Sequence, residues 1–149
     1  SQQDTLVLLV NERYKIPENL YIDHNVFQLA SNNMIAPDIR IYSAEGSTPT
    51  LRVQFYTQEE KPVYDNMDFN WNYKNDTLRF DNYIKLAGQW RAQRVTLTLY
   101  LPENKKVLLP SQTSQYLRNL RDFDRGVRSR LNKDKILLIM QDGKLQPLM

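Results

Sequence analysis

The chain has 149 residues, 41% hydrophobic and 25% charged, the balance of one folded domain rather than a disordered tail. It holds no cysteine and a single histidine, His24, which removes disulfides, thiol nucleophiles, thiolate metal sites and multi-histidine zinc centres. The formal charge of +3 comes from one region, Arg118–Lys135, where seven basic residues meet three carboxylates.

Strand signals fill the first 110 residues. Residues 5–10, TLVLLV, form a continuous apolar run, the pattern of a strand covered on both faces or held at a tight seam. Short alternations follow at Leu20 and Ile22 and at Phe27 and Leu29. Ile39 and Ile41 alternate with Arg40 and Tyr42, and Leu51, Val53 and Phe55 with Arg52, Gln54 and Tyr56. Phe69, Trp71 and Tyr73 make an aromatic stripe of period two, then come Leu78 and Phe80. Val95, Leu97, Leu99 and Leu101 alternate with Thr96, Thr98 and Tyr100 until Pro102 stops the run. Asn104-Lys105-Lys106 turns the chain into Val107–Leu109, which Pro110 ends.

Turn formers separate these runs, notably Glu45-Gly46-Ser47, Asn75-Asp76 and Ala87-Gly88. Many short strands with such punctuation predict an all-β fold, a stacked, solenoid- or sandwich-like sheet. A weak repeat supports stacking: Asp4-Thr5-Leu6 opens a rung reaching Tyr14, and Asp76-Thr77-Leu78 opens one reaching Tyr83.

After Pro110 the character changes. Tyr116, Leu117 and Leu120 predict a short helix over 114–123. The basic stretch 125–135 reads as a loop, 136–140 as a last strand, and Asp142-Gly143 as a turn. The expected organisation is a single β domain over 1–149, with a strand-rich body 1–110 and a tail 111–149 holding a short helix, basic loop and terminal strand.

The candidate chemistry is sparse. Asp23 and His24 are adjacent, so on a strand they point to opposite faces and form no dyad; a turn histidine is expected. Carboxylates are scattered apart from Glu59-Glu60, and no calcium-loop pattern occurs. No catalytic, cofactor-binding or metal residue is therefore assigned, no cofactor is expected, and the reading is non-enzymatic. Phe69, Trp71, Tyr73 and Trp90 could stack on sugars as a carbohydrate-binding or adhesin-like module, but the stripe's spacing favours core packing.

The basic tail supplies the candidate interaction surface: Arg118, Arg121, Arg125, Arg128 and Arg130. Protein partners or anionic lipid fit it better than nucleic acid, because Phe123 is its one aromatic and Asp122 and Asp124 lie among the arginines. No apolar stretch is long enough for a membrane helix, and a start at Ser1 is expected of a fragment or processed form.

Three stretches in order carry a resemblance. Residues 90–109, WRAQRVTLTLYLPENKKVLL, hold a V-x-L-x-L-Y-x-P strand followed by a lysine turn and a second strand. Residues 75–83, NDTLRFDNY, hold D-x-L-x-F-D-x-Y, and 136–145, ILLIMQDGKL, hold a strand and D-G turn with Lys144 inserted before the leucine. Together they resemble the C-terminal region of phage-shock-protein-C-related (PspC) proteins from Bacteroidetes. The resemblance implies a toast-rack of stacked short strands, membrane-anchored in the full-length protein and associated with envelope stress. It implies action through protein contacts, membrane-associated partners among them, on the periplasmic side or, alternatively, the cytoplasmic one.

Overall fold

The computed structural model describes residues 5–14, 28–29, 34–57, 67–87, 93–131 and 133–148. The expectations for Leu20, Ile22, His24, Glu59-Glu60 and Trp90 lie outside these residues. The described chain is all-β, with two short helices. In chain order the strands are β1 (Thr5–Asn11), β2 (Gln28–Leu29), β3 (Met34–Ile35), β4 (Asp38–Ser43), β5 (Thr50–Tyr56), β6 (Met67–Asp68) and β7 (Trp71–Lys74). Then follow β8 (Thr77–Asp81), β9 (Ile84–Leu86), β10 (Arg94–Leu101), β11 (Lys106–Leu109), β12 (Ile136–Gln141) and β13 (Lys144–Pro147). Helix α1 spans Ser111–Ser114 and α2 spans Arg125–Arg130.

Three sheets are built from them. A six-stranded sheet runs β13-β12-β11-β1-β8-β7, a three-stranded one β4-β10-β5, and a four-stranded one β2-β3-β9-β6. Parallel pairing joins β1 to both β11 and β8, and β4 to β10; the other pairs are antiparallel. Alternation explains the layering: Leu6 and Leu8, Ile39 and Ile41, Leu78 and Phe80, Leu97, Leu99 and Leu101 all point into one core cluster. Ile35, Ile84, Leu86 and Val95 form a second, smaller core.

The resemblance of β1 to β8 has a structural counterpart, since the two lie side by side in parallel. Their register sets Thr77 beside Val7, not beside Thr5. β1 is central in its sheet; Leu6 and Leu8 are fully buried while its other face is partly covered. The predicted turns at Asn75-Asp76 and Asp142-Gly143 are two-residue hairpin loops with positive φ at both positions, 54° and 56°, then 55° and 78°. β10 and β11 end at Leu101 and Leu109, as Pro102 and Pro110 require.

Four expectations need correction. The helix expected over 114–123 is α1, which ends at Ser114, plus a separate 3-10 turn at Leu120–Asp122. Between them the backbone is taken by a sheet edge: the Tyr116 carbonyl accepts from Ile39 N–H at 2.9 Å, and Arg118 N–H donates to the Ile39 carbonyl at 2.9 Å. Edge pairing outweighs a weak helical preference in so short a segment. The expected loop at 125–135 begins with α2, capped by Asp124, whose carboxylate accepts Gly126 N–H at 3.1 Å, and anchored by fully buried Val127. The expected last strand is the first arm of the β12–β13 hairpin.

The fourth concerns the aromatic stripe. Trp71 and Tyr73 stand opposite Phe80 and Leu78 and share their face, so the period was right. Yet β7 is the sheet's edge strand, and Trp71 and Tyr73 remain 41% and 44% exposed. Phe69 alone of the three packs against the cores.

Candidate functional site

The structure divides the predicted basic surface between two places. Arg121, Arg125, Arg128 and Arg130 are exposed on the 3-10 turn and α2. Buried Phe123, Val127 and Leu131 anchor that segment, and Arg128 and Arg130 occupy the last turn, where the helix dipole favours cations.

Arg118 belongs elsewhere. Its Nε donates to Asp38 Oδ1 at 3.2 Å, and its Nη1 donates to the Gln115 carbonyl at 3.0 Å, which ties it to the margin of β4. Partial burial lowers the Arg118 pKa, Asp38 opposes that shift, and nearby Arg40 adds to it.

That neighbour opens onto the outward face of the β4-β10-β5 sheet. With the isoleucines and leucines turned inward, the alternate positions face out. Thr98 of β10 stands between Arg40 of β4 and Arg52 of β5; Tyr100 stands between Tyr42 and Thr50; Thr96 between Asp38 and Gln54; and Arg94 beside Tyr56. The Tyr42 and Tyr100 rings stack with centroids 6.1 Å apart and 30° between planes. The Arg52 guanidinium lies over the Tyr100 ring at 5.4 Å. Thr98 is 4% exposed at the centre, and Arg40 Nε is enclosed without a hydrogen-bond partner.

None of Arg40, Arg52, Arg94, Tyr42 or Tyr100 was singled out by sequence reasoning. The signal was present as the polar half of three alternating strands. Only the pairing of residues 38–43 and 50–56 with 94–101 makes those halves one surface.

A second polar cluster holds the chain where it leaves β1. The Arg13 guanidinium donates through Nη1 and Nη2 to the Asp68 carboxylate, both at 2.8 Å, and through Nη1 to Asp81 Oδ2 at 2.9 Å. Tyr14 Oη donates to Asp68 Oδ2 at 2.9 Å, and Asn70 N–H donates to Asp81 Oδ2 at 2.8 Å. Asn82 accepts the Tyr14 N–H and donates to the Tyr14 carbonyl. This knot satisfies the nearly buried Asp81 carboxylate and joins β1 to the strands around β8; it is a clasp.

Among the described residues no group of three or more His, Asp or Glu could hold a metal ion, and no helix is long and apolar enough to cross a membrane. Open grooves among the described residues include one between residues 45–49 and 102–105 and one along α1. The first is lined by Glu45, Glu103 and Lys105, the second by Gln112, Gln115 and Arg118.

Compared with known families, residues 38–147 match the toast-rack found in some PspC proteins, over more than half of the chain. The chain belongs to the PspC C-terminal toast-rack family. No curated protein and no solved structure matches it. The toast-rack domain thus comes from a family tied to phage-shock-type membrane proteins, and the resemblance of 75–83, 90–109 and 136–145 falls inside the matched region.

Proposed function

We propose that this toast-rack domain is the non-enzymatic interaction module of a membrane-anchored envelope-stress protein, working through protein–protein contacts. The family match over 38–147 carries the reading. What supports it in the structure is an edge strand, β7, that displays Trp71 and Tyr73. The chain would serve as bait on detergent-solubilised bacterial membranes. Salt-sensitive, stoichiometric recovery of one membrane or signalling protein is the expected result, and an empty bait at low salt counts against the reading.

A carbohydrate-binding role is the second reading, favoured by the exposure of Trp71 and Tyr73 on one face. Titration with a glycan panel should quench or shift tryptophan emission if it holds, and a silent panel removes it.

A further inference from the structure

We infer that the outward face of the β4-β10-β5 sheet docks an acidic segment of a partner protein through Arg40, Arg52, Arg94 and Arg118. The inference rests on the interaction-module reading and deepens it by naming the surface and the partner's chemistry. Among the described residues the face carries these four arginines and one carboxylate, Asp38, already engaged by Arg118.

Folding alone gives no reason for such an arrangement. Arg40 and Arg52 flank the same threonine on the two neighbouring strands, and Arg118 stands close enough to Arg40 to feel its charge. Guanidinium groups gathered on one face raise its positive potential, which favours an acidic partner. Thr98 is buried between Arg40 and Arg52, and Arg40 Nε is enclosed with no hydrogen-bond partner, so the Arg40 guanidinium is only partly satisfied by the fold. Guanidinium forks recognise carboxylates in a planar, two-bond geometry, which an acidic strand laid across the sheet would meet at successive positions.

The other occupants fit less well. Among the described residues the face carries arginine, tyrosine, threonine, glutamine and Asp38 but no lysine and no aliphatic side chain, the composition of a protein interface rather than a membrane-inserting surface. Tyr42 and Tyr100 pack on each other, and Arg52 covers Tyr100, so the rings offer no open platform for nucleic-acid bases. A second copy would set arginines against arginines.

The test is an amide-resolved NMR titration of the whole chain with a synthetic peptide alternating glutamate and threonine. Parallel titrations use phosphatidylglycerol vesicles and oligothymidine. The peptide should shift amides of β4, β5 and β10 and leave α2 unmoved. Arg52→Glu with Arg94→Glu, both exposed and expected to keep the wild-type melting temperature, should weaken binding about ten-fold or more. Arg125→Glu with Arg128→Glu should leave it within about two-fold. Shifts centred on 121–130, no peptide binding, or binding to vesicles or oligothymidine alone each overturn the inference. The membrane bait separates the two claims. A partner captured equally by wild type and Arg52→Glu/Arg94→Glu removes this surface and keeps the module. Peptide binding at the face with nothing captured from membranes removes the module reading and keeps the acidic-segment site.

Discussion

The Asn119 carboxamide holds both backbone groups of Ile41: its Oδ1 accepts the Ile41 N–H at 3.1 Å, and its Nδ2 donates to the Ile41 carbonyl at 2.6 Å. With Tyr116 and Arg118 pairing to Ile39, one side chain and three residues of backbone stand in for a missing strand and close the β4 edge. Asn119→Ala would strand two buried backbone groups, at about 1–3 kcal/mol for each. Urea unfolding should show a loss of about 3 kcal/mol. A loss below about 0.5 kcal/mol would mean the edge is closed by the backbone pairs alone.

Trp71 and Phe80 are direct cross-strand neighbours with opposite fates, one exposed at the edge and one fully buried. Phe80→Ala should cost about 3–5 kcal/mol, and Trp71→Ala about 1 kcal/mol or less. In a Trp90→Phe background, Trp71 emission should be red-shifted and readily quenched by acrylamide. Blue-shifted, protected emission would contradict the edge position.

The clasp makes stability depend on pH at both ends. Hydrogen bonds from Arg13 and Tyr14 hold the Asp68 carboxyl below its ordinary range, so its contribution is complete above that range and lost as pH falls through the depressed value. Burial, and then the hydrogen bond to Asp68, push the Tyr14 hydroxyl up to about 12. That contribution is complete below about pH 10 and lost as pH rises towards 12. Chemical denaturation across pH should therefore show a shallower acid limb for Asp68→Asn and a shallower alkaline limb for Tyr14→Phe. Profiles parallel to wild type would rule the clasp out as the source.

Gly143 sits at φ 78° in the β12–β13 turn, a conformation that β-branched residues resist. Gly143→Val should cost about 1–3 kcal/mol. Gly46 has an ordinary φ and open space where a Cβ would go, so Gly46→Ala should be neutral or stabilise by up to about 1 kcal/mol. Equal melting shifts for the two would contradict this account.

The sequence revealed alternation and not its surroundings. Val95–Leu101 and Ile39–Ile41 were readable as strands because period two is local chemistry. Trp71 and Tyr73 obey the same period, and they stay exposed on the edge strand of the sheet, a place that no neighbouring residue records. Tyr116, Leu117 and Leu120 carry a true helical spacing, but the unmet backbone of β4, some 75–80 positions earlier, claims the segment. The basic tail was visible as composition. The face that joins Arg118 to Arg40 and Arg52 was not, because register across three strands assembles it.

The matched region begins at residue 38, yet the six-stranded sheet is built around residues 5–11. That central strand has no hydrogen-bonded neighbour in its sheet until Thr77–Asp81 is made, and its second arrives only with Lys106–Leu109. On the ribosome, TLVLLV must therefore wait through about 65 further residues with its ladder unfilled, the situation in which an apolar strand finds the wrong partner. Shortened versions that start at Asp38 would leave two half-sheets with nothing to join them.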